Sequence, residues 1–304
     1  MESTFIKNGT KIMPFPKGLE YSLIPGKIYN LVWNDWVREG WFEEDGTITM
    51  PEKIYQTESD KFFIKRILTY FDKMDKLNLG VLLTGLKGSG KSLTAKLLSK
   101  KSNLPIIVVS PTYPAKELTE MFTNFNTPCC ILFDECDKNK RWNSDDMLGF
   151  LDGLQDTAKK LVIYTCNETC DLSQYLIDRC SRIKYCKNYE GINKETITQI
   201  ANDLISNKDI IPEIVNFIDD QFLVKSYDNI ISYIEEYEMF HEEATYTTIA
   251  EDLNITLKDS SILNKLLEPD FEDTDDKPYK EECIHVGEYE VYGNSYDDCE
   301  SCAG

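Results

Sequence analysis

Positive charge is scarce in this sequence. Its 304 residues carry 33 Lys and Arg against 53 Asp and Glu, a formal net charge of −20. Such a surface repels phosphate backbones, which disfavours broad nucleic-acid binding unless basic residues cluster. The excess acid is uneven. Residues 268–304 hold thirteen acids and two lysines, about half of the net charge, so the body is only mildly acidic. Long apolar runs are missing too. None approaches the roughly 18 residues that a membrane helix needs. Residues 1–9 have no apolar stretch of the kind that opens a secretory signal. The expectation is a cytosolic protein with no membrane partner. No internal repeat is apparent. Arginine is rare, at five (Arg38, Arg66, Arg141, Arg179 and Arg182), so each position carries weight. Cysteine, by contrast, is plentiful. Seven of the ten fall between Cys129 and Cys186, several inside apolar runs such as Cys129-Cys130-Ile131-Leu132-Phe133. Buried free thiols in a reducing compartment fit this better than a disulfide framework.

The chain is long enough for one sizeable core or two smaller ones. Four segments are expected. Residues 1–50 hold three of the four tryptophans and turn signals at Pro25-Gly26 and Asp45-Gly46, and read as a small β-rich element. From 51 to 187 short apolar runs alternate with helix-like stretches. Residues 80–84, 105–109, 129–133, 161–165 and 182–186 read as strands, and 92–100, 116–125 and 145–155 as helices. That alternation predicts an α/β domain with a five-stranded parallel sheet covered by helices. From 188 to 257 the period becomes helical, with at least three helices forming a compact subdomain. Residues 258–304 read as an acidic tail, flexible where the acids are densest.

Gly85-Leu86-Lys87-Gly88-Ser89-Gly90-Lys91-Ser92 fits G-x-x-x-x-G-K-[ST] between a predicted strand and a predicted helix, the context that a phosphate-binding loop requires. Its glycines let backbone N–H groups approach phosphate oxygens. The following helix turns its positive end toward the anion. Lys91 can reach the β- and γ-phosphates, Ser92 can ligate Mg²⁺, and Leu93 follows within the same nucleotide-binding segment. Cys130-Ile131-Leu132-Phe133-Asp134-Glu135 is an apolar strand ending in two acids. Asp134 is placed to hold Mg²⁺, and Glu135 is a candidate general base for an attacking water. Asn167 closes the fourth strand, where an amide offers both a donor and an acceptor to orient that water. Arg179 and Arg182 are spaced for a phosphate-directed role, with surface ion pairs as the weaker alternative.

With these residues in view, the chain resembles the AAA family of ATPases, within the AAA+ P-loop NTPases, over roughly residues 51–236. The Walker-type motifs are joined by Leu151-Asp152-Gly153-Leu154, similar to the family's L-D-G segment. Thr165-Cys166-Asn167 is similar to its T-T-N strand, and Arg179-Cys180-Ser181-Arg182 to its R-P-G-R arginine fingers. The resemblance implies a P-loop NTPase core with a helical lid, and ATP and Mg²⁺ as ligands. It also implies a homo-oligomeric ring, usually a hexamer, in which Arg179 and Arg182 act on ATP held by the neighbouring subunit. Ile54 and Tyr55 fall where the family's adenine-flanking segment lies. The short stretch 110–114, in place of the family's pore loop, is similar to the branch of the mitochondrial complex-III assembly ATPase. There Tyr113 reads as a packing residue, with a grip on polypeptide as the alternative. No arginine occupies the lid segment 224–228, where Lys225 is the available cation.

Cys283, His285, Cys299 and Cys302 could form a tetrahedral zinc site, although the Cys-x-His half is atypical and incidental thiols in an acidic tail are the competing reading. The basic and aromatic run Lys138-Asn139-Lys140-Arg141-Trp142 reads as a solvated loop. Three outputs fit these features: a protein-remodelling ATPase, a nucleic-acid-directed loader or replication factor, and a nucleotide-switched assembly scaffold. The acidic surface and the arginine pair favour the first. The intact acids at 134 and 135 argue against the third. The abundance of Lys, Asn, Ile and Cys hints at an AT-rich genome such as some viruses carry.

Overall fold

The computed structural model of the chain describes residues 4–8, 10–15, 21–74, 78–123, 125–136, 144–154, 158–167 and 183–258. Four strands come first: β1 (Thr4–Asn8), β2 (Lys11–Phe15), β3 (Lys27–Asn34) and β4 (Glu39–Thr47). Helix α1 (Glu58–Lys73) leads into an alternating run of β5 (Leu79–Gly85), α2 (Lys91–Lys101), β6 (Ile106–Val109), α3 (Ala115–Thr123), β7 (Cys129–Phe133), α4 (Ser144–Gly153), β8 (Lys160–Cys166) and β9 (Ile183–Tyr189). The helices α5 (Lys194–Leu204), α6 (Ile211–Gln221), α7 (Tyr227–Phe240) and α8 (Tyr246–Asp252) follow.

The nine strands of the described residues join one sheet in the order β1-β2-β4-β3-β6-β7-β8-β5-β9. The five from β6 to β9 are mutually parallel, the pattern expected from strand–helix alternation. The first four strands are not a separate layer. β3 pairs in parallel with β6, Leu31 opposite Val109, and β4, β2 and β1 continue antiparallel from it.

Side-chain alternation divides the central strands between two faces, as the two-residue period of a pleated strand demands. Leu82, Ile131, Val162 and Tyr164 pack with Phe122, Phe125 and Phe150 on the side of α3 and α4. Val81, Leu83, Cys130 and Ile163 face Ile64, Ile67, Ala95 and Leu98 of α1 and α2. Cys129, Cys130 and Cys166 are buried. Lys160 is also fully buried, and it donates to the carbonyls of Phe125 (2.8 Å) and Ala158 (2.7 Å). Burial pushes its ammonium down to about 8.

The four C-terminal helices enclose their own core, including Ile197, Ile200, Ile214, Ile218, Phe222, Ile230 and Tyr233. Each such side chain stabilises by about 1.5–3 kcal/mol when fully buried. Asn193, Ser226 and Thr245 cap α5, α7 and α8 by accepting backbone N–H bonds three residues on.

Candidate functional site

β7, β8 and β5 are adjacent and parallel, so their carboxyl ends lie on one edge of the sheet. That is where ligands bind in open α/β sheets. β5 leaves the sheet at Gly85 into the glycine-rich loop. Gly85, Gly88 and Gly90 take φ values of +119°, +74° and +99°, a region open to glycine at little cost. A Cβ at Gly85 would stand 2.1 Å from the Tyr189 carbonyl oxygen, so β9 needs a bare backbone there. α2 then starts at Lys91 with its first N–H groups facing the loop. Lys91 is buried, and its Nζ donates to the carbonyls of Gly85 (2.8 Å) and Leu86 (2.6 Å). Ser89 Oγ donates to Leu86 O at 2.6 Å, which tightens the same turn.

The acids arrive from β7. Ser92 Oγ donates to Asp134 Oδ1 at 3.1 Å, and Thr165 Oγ1 donates to the same oxygen at 2.6 Å. Thr165 Oγ1 in turn accepts the Glu135 N–H at 2.7 Å. Glu135 has φ +50°, uncommon for a residue with a side chain and a recurrent feature of functional sites. Asn167 Nδ2 lies 3.4 Å from Glu135 Oε1. A cleft of about 350 Å³ is lined by Lys87, Gly88, Gly90, Lys91, Ser92, Leu93, Glu135, Asn167, Tyr227 and Asp228. The buried Lys91 cation, the Ser92 hydroxyl, the Glu135 carboxylate and the Asn167 amide thus line one cleft with the glycine-rich loop. The Ser92 hydroxyl and Asp134 carboxylate are hard oxygen donors of the kind Mg²⁺ takes alongside phosphate oxygens, so the residues present fit that ion.

A second cleft adjoins the first through Gly90, Leu93 and Tyr227, and is lined also by Tyr55, Gln56, Thr57, Ile192 and Asn193. Tyr55 is therefore on its wall. Ile54, the other residue expected there, is exposed and lies outside the lining. Lys225 is committed to Asp219 at 2.6 Å. Tyr113 is buried, with its ring 5.2 Å from that of Trp33. Arg179, Arg182, the run 138–142 and the four tail residues Cys283, His285, Cys299 and Cys302 lie outside the described residues. Among the described residues no cluster of three metal-ligating side chains occurs.

Two contributors were not anticipated from sequence. One is the Thr165 hydroxyl as the link between the two acids, since only its place in a T-T-N-like strand was apparent. The other is Tyr227, whose signal was no more than an aromatic just after a helix-capping serine.

A phosphate-binding loop on an inner strand of a parallel sheet, with two acids on the next strand but one, defines a P-loop NTPase. Residues 81–188 match the family model of the ATPase family associated with various cellular activities (AAA). That segment of the chain belongs to the AAA ATPases. The chain is similar to two components of the mitochondrial inner membrane m-AAA protease of Mus musculus, AFG3L2 (30% identity over 115 residues) and AFG3L1 (28% over 115). Each match spans 33% of this chain and 14% of the relative. A solved structure from work on the structural basis for katanin self-assembly overlays 64% of this chain and 72% of its own, at 16% identity and a TM-score of 0.44. No helix among the described residues is long and apolar enough to cross a membrane.

Proposed function

We propose that this chain binds ATP with Mg²⁺, hydrolyses it, and does so in a ring of identical subunits that remodels a protein partner. The observation that carries the catalytic half is the hydrogen-bonded run Ser92–Asp134–Thr165–Glu135–Asn167, which spans the cleft opposite Lys91. In this reading the loop N–H groups and Lys91 hold the β- and γ-phosphates, and Lys91 exchanges the loop carbonyls for phosphate oxygens. Ser92 and Asp134 hold Mg²⁺, which supplies charge neutralisation across those oxygens. Glu135 accepts the proton of the attacking water, and Asn167 orients that water against the γ-phosphorus. The bond from the γ-phosphorus to the bridging oxygen breaks as the water oxygen bonds, giving ADP and phosphate.

The oligomer and the protein substrate are supported by the AAA match, by the acidic surface and by the arginine pair at 179 and 182. An arginine supplied by a neighbour stabilises charge in the transition state and is worth about 10³–10⁵ in rate. The test is steady-state ATP hydrolysis against protein concentration, for the wild type and Glu135→Gln. Turnover per subunit should rise cooperatively with concentration in the wild type and vanish in the variant, while both bind ATP. Binding without turnover in the wild type, at any concentration and with or without DNA, would instead make the chain a nucleotide-switched scaffold.

A further inference from the structure

The helical subdomain touches the phosphate loop directly, through Ser226 and Tyr227. Its backbone N–H donates to Gly88 O at 2.9 Å. A Cβ at Gly90 would stand 3.1 Å from Tyr227 Cε2, and one at Gly88 would stand 2.8 Å from Ser226 Cβ. The two loop glycines therefore serve the lid as well as the loop's own backbone. The Tyr227 hydroxyl donates to the Tyr55 carbonyl at 3.0 Å, so one ring joins α7, the phosphate loop and the segment before α1. Tyr227 also lines both clefts, at the point where the phosphate compartment passes into the compartment of Tyr55, Ile192 and Asn193.

Charge decides what the lid can recognise. Among the described residues, the side chains that line the two clefts from beyond β9 are Glu190, Ile192, Asn193, Thr196, Tyr227 and Asp228, none of them a cation. Lys225 is held by Asp219. Asp228 faces the phosphate compartment, where its carboxylate repels a polyphosphate. A lid of this composition has little with which to bind the γ-phosphate and an aromatic face to offer a sugar and base. Burial keeps the Tyr227 phenol neutral, pushed up to about 12.

We infer that Tyr227 is the lid's nucleoside-reading residue: its ring packs on the base and ribose of the bound nucleotide and carries occupancy to α7. This rests on the proposed ATP site and adds to it a specificity-determining residue that recognises the nucleoside and not the number of phosphates. The experiment is isothermal titration of wild type, Tyr227→Ala and Tyr227→Phe with MgATP, MgADP and magnesium tripolyphosphate, together with the ratio of ATP to UTP affinity. Loss of an aromatic face against a base costs about tenfold or more in affinity. Tyr227→Ala should weaken ATP and ADP by that same factor, leave tripolyphosphate unchanged and lower the ATP-to-UTP ratio, because the purine offers the larger face. Tyr227→Phe keeps the ring and should lie close to wild type. ATP affinity unaltered in Tyr227→Ala, or a parallel loss of ATP and tripolyphosphate with an unchanged ATP-to-UTP ratio, would overturn the inference while leaving the ATP site standing. A wild type that binds no MgATP would overturn both.

Discussion

At the scale of single residues, the site depends on a hydroxyl that does no chemistry of its own. Thr165 Oγ1 gives its proton to Asp134 and takes the N–H of Glu135, so one atom sets the separation of the two acids. The second bond also holds Glu135 at its positive φ, a conformation that persists only when its surroundings enforce it. Thr165→Val keeps the shape and removes both bonds. It takes from the Glu135 N–H its Thr165 acceptor in a part-buried place, at a cost of about 1–3 kcal/mol. Displacing a catalytic group by a fraction of an ångström to an ångström is costly for rate, up to about 10²-fold. Thr165→Val should therefore lower kcat strongly, change KM little and lower Tm modestly, which steady-state kinetics and a thermal scan together would detect. A wild-type kcat in this variant would mean that the acids are held by other contacts.

The scale of elements is where sequence and structure part company most. β5, β7 and β8 were visible as apolar runs because a strand buried on both faces has no polar alternation to hide it. α5 to α7 were visible from isoleucine spacing, and the loop 85–92 from glycines that have few other uses in that order. α8 was missed because Tyr246, Ile249 and Ala250 give too short a period to stand out, though Thr245 caps it. What could not be read was the partner of β3. Strand pairing is set by non-local contacts, and nothing in residues 27–34 names β6 as a neighbour. The same holds for Tyr227 and Thr165, whose roles come from contacts across the fold and not from spacing along it. Once joined, the N-terminal strands are held in register by Glu44. It pairs with Lys7 of β1 at 3.0 Å and with Lys27 of β3, and accepts from Tyr21 at 2.6 Å. Its hydrogen bonds to Lys27, Tyr21 and Lys7 pull the carboxyl from 4.5 down to about 2. A carboxylate depressed on folding stabilises the native state above its unfolded pKa, and that contribution fades as pH falls through the folded value. The stability gap between wild type and Glu44→Gln should thus be full above about pH 4.5 and close as pH falls toward 2. Urea melts at a series of pH values would show it, and a gap independent of pH would show that the charge on Glu44 is not what joins these strands.

At the scale of the molecule, two cores meet over one loop. The sheet buries its two faces under α1 to α4, while α5 to α8 close a separate core, and α7 begins against Gly88 and Gly90. A nucleotide seated in both clefts would touch both cores and add to the native state free energy that neither core has alone. At a hundredfold excess over Kd this linkage is worth about 2.7 kcal/mol. Fluorescence reports on the sheet through Trp33, Trp36 and Trp41, whereas far-ultraviolet circular dichroism reports on the helices of both parts, so a lid that melts on its own shows as a part of the dichroism change that fluorescence does not follow. With MgATP both transitions should move up by several degrees and coincide. Lys91→Ala removes the loop's buried cation and should abolish the shift in both signals. A rise in the fluorescence transition alone would mean that ATP binds the loop without engaging the lid. Hydrolysis would then have no direct path to the helical subdomain, and the proposed remodelling of a partner could not be driven through α7.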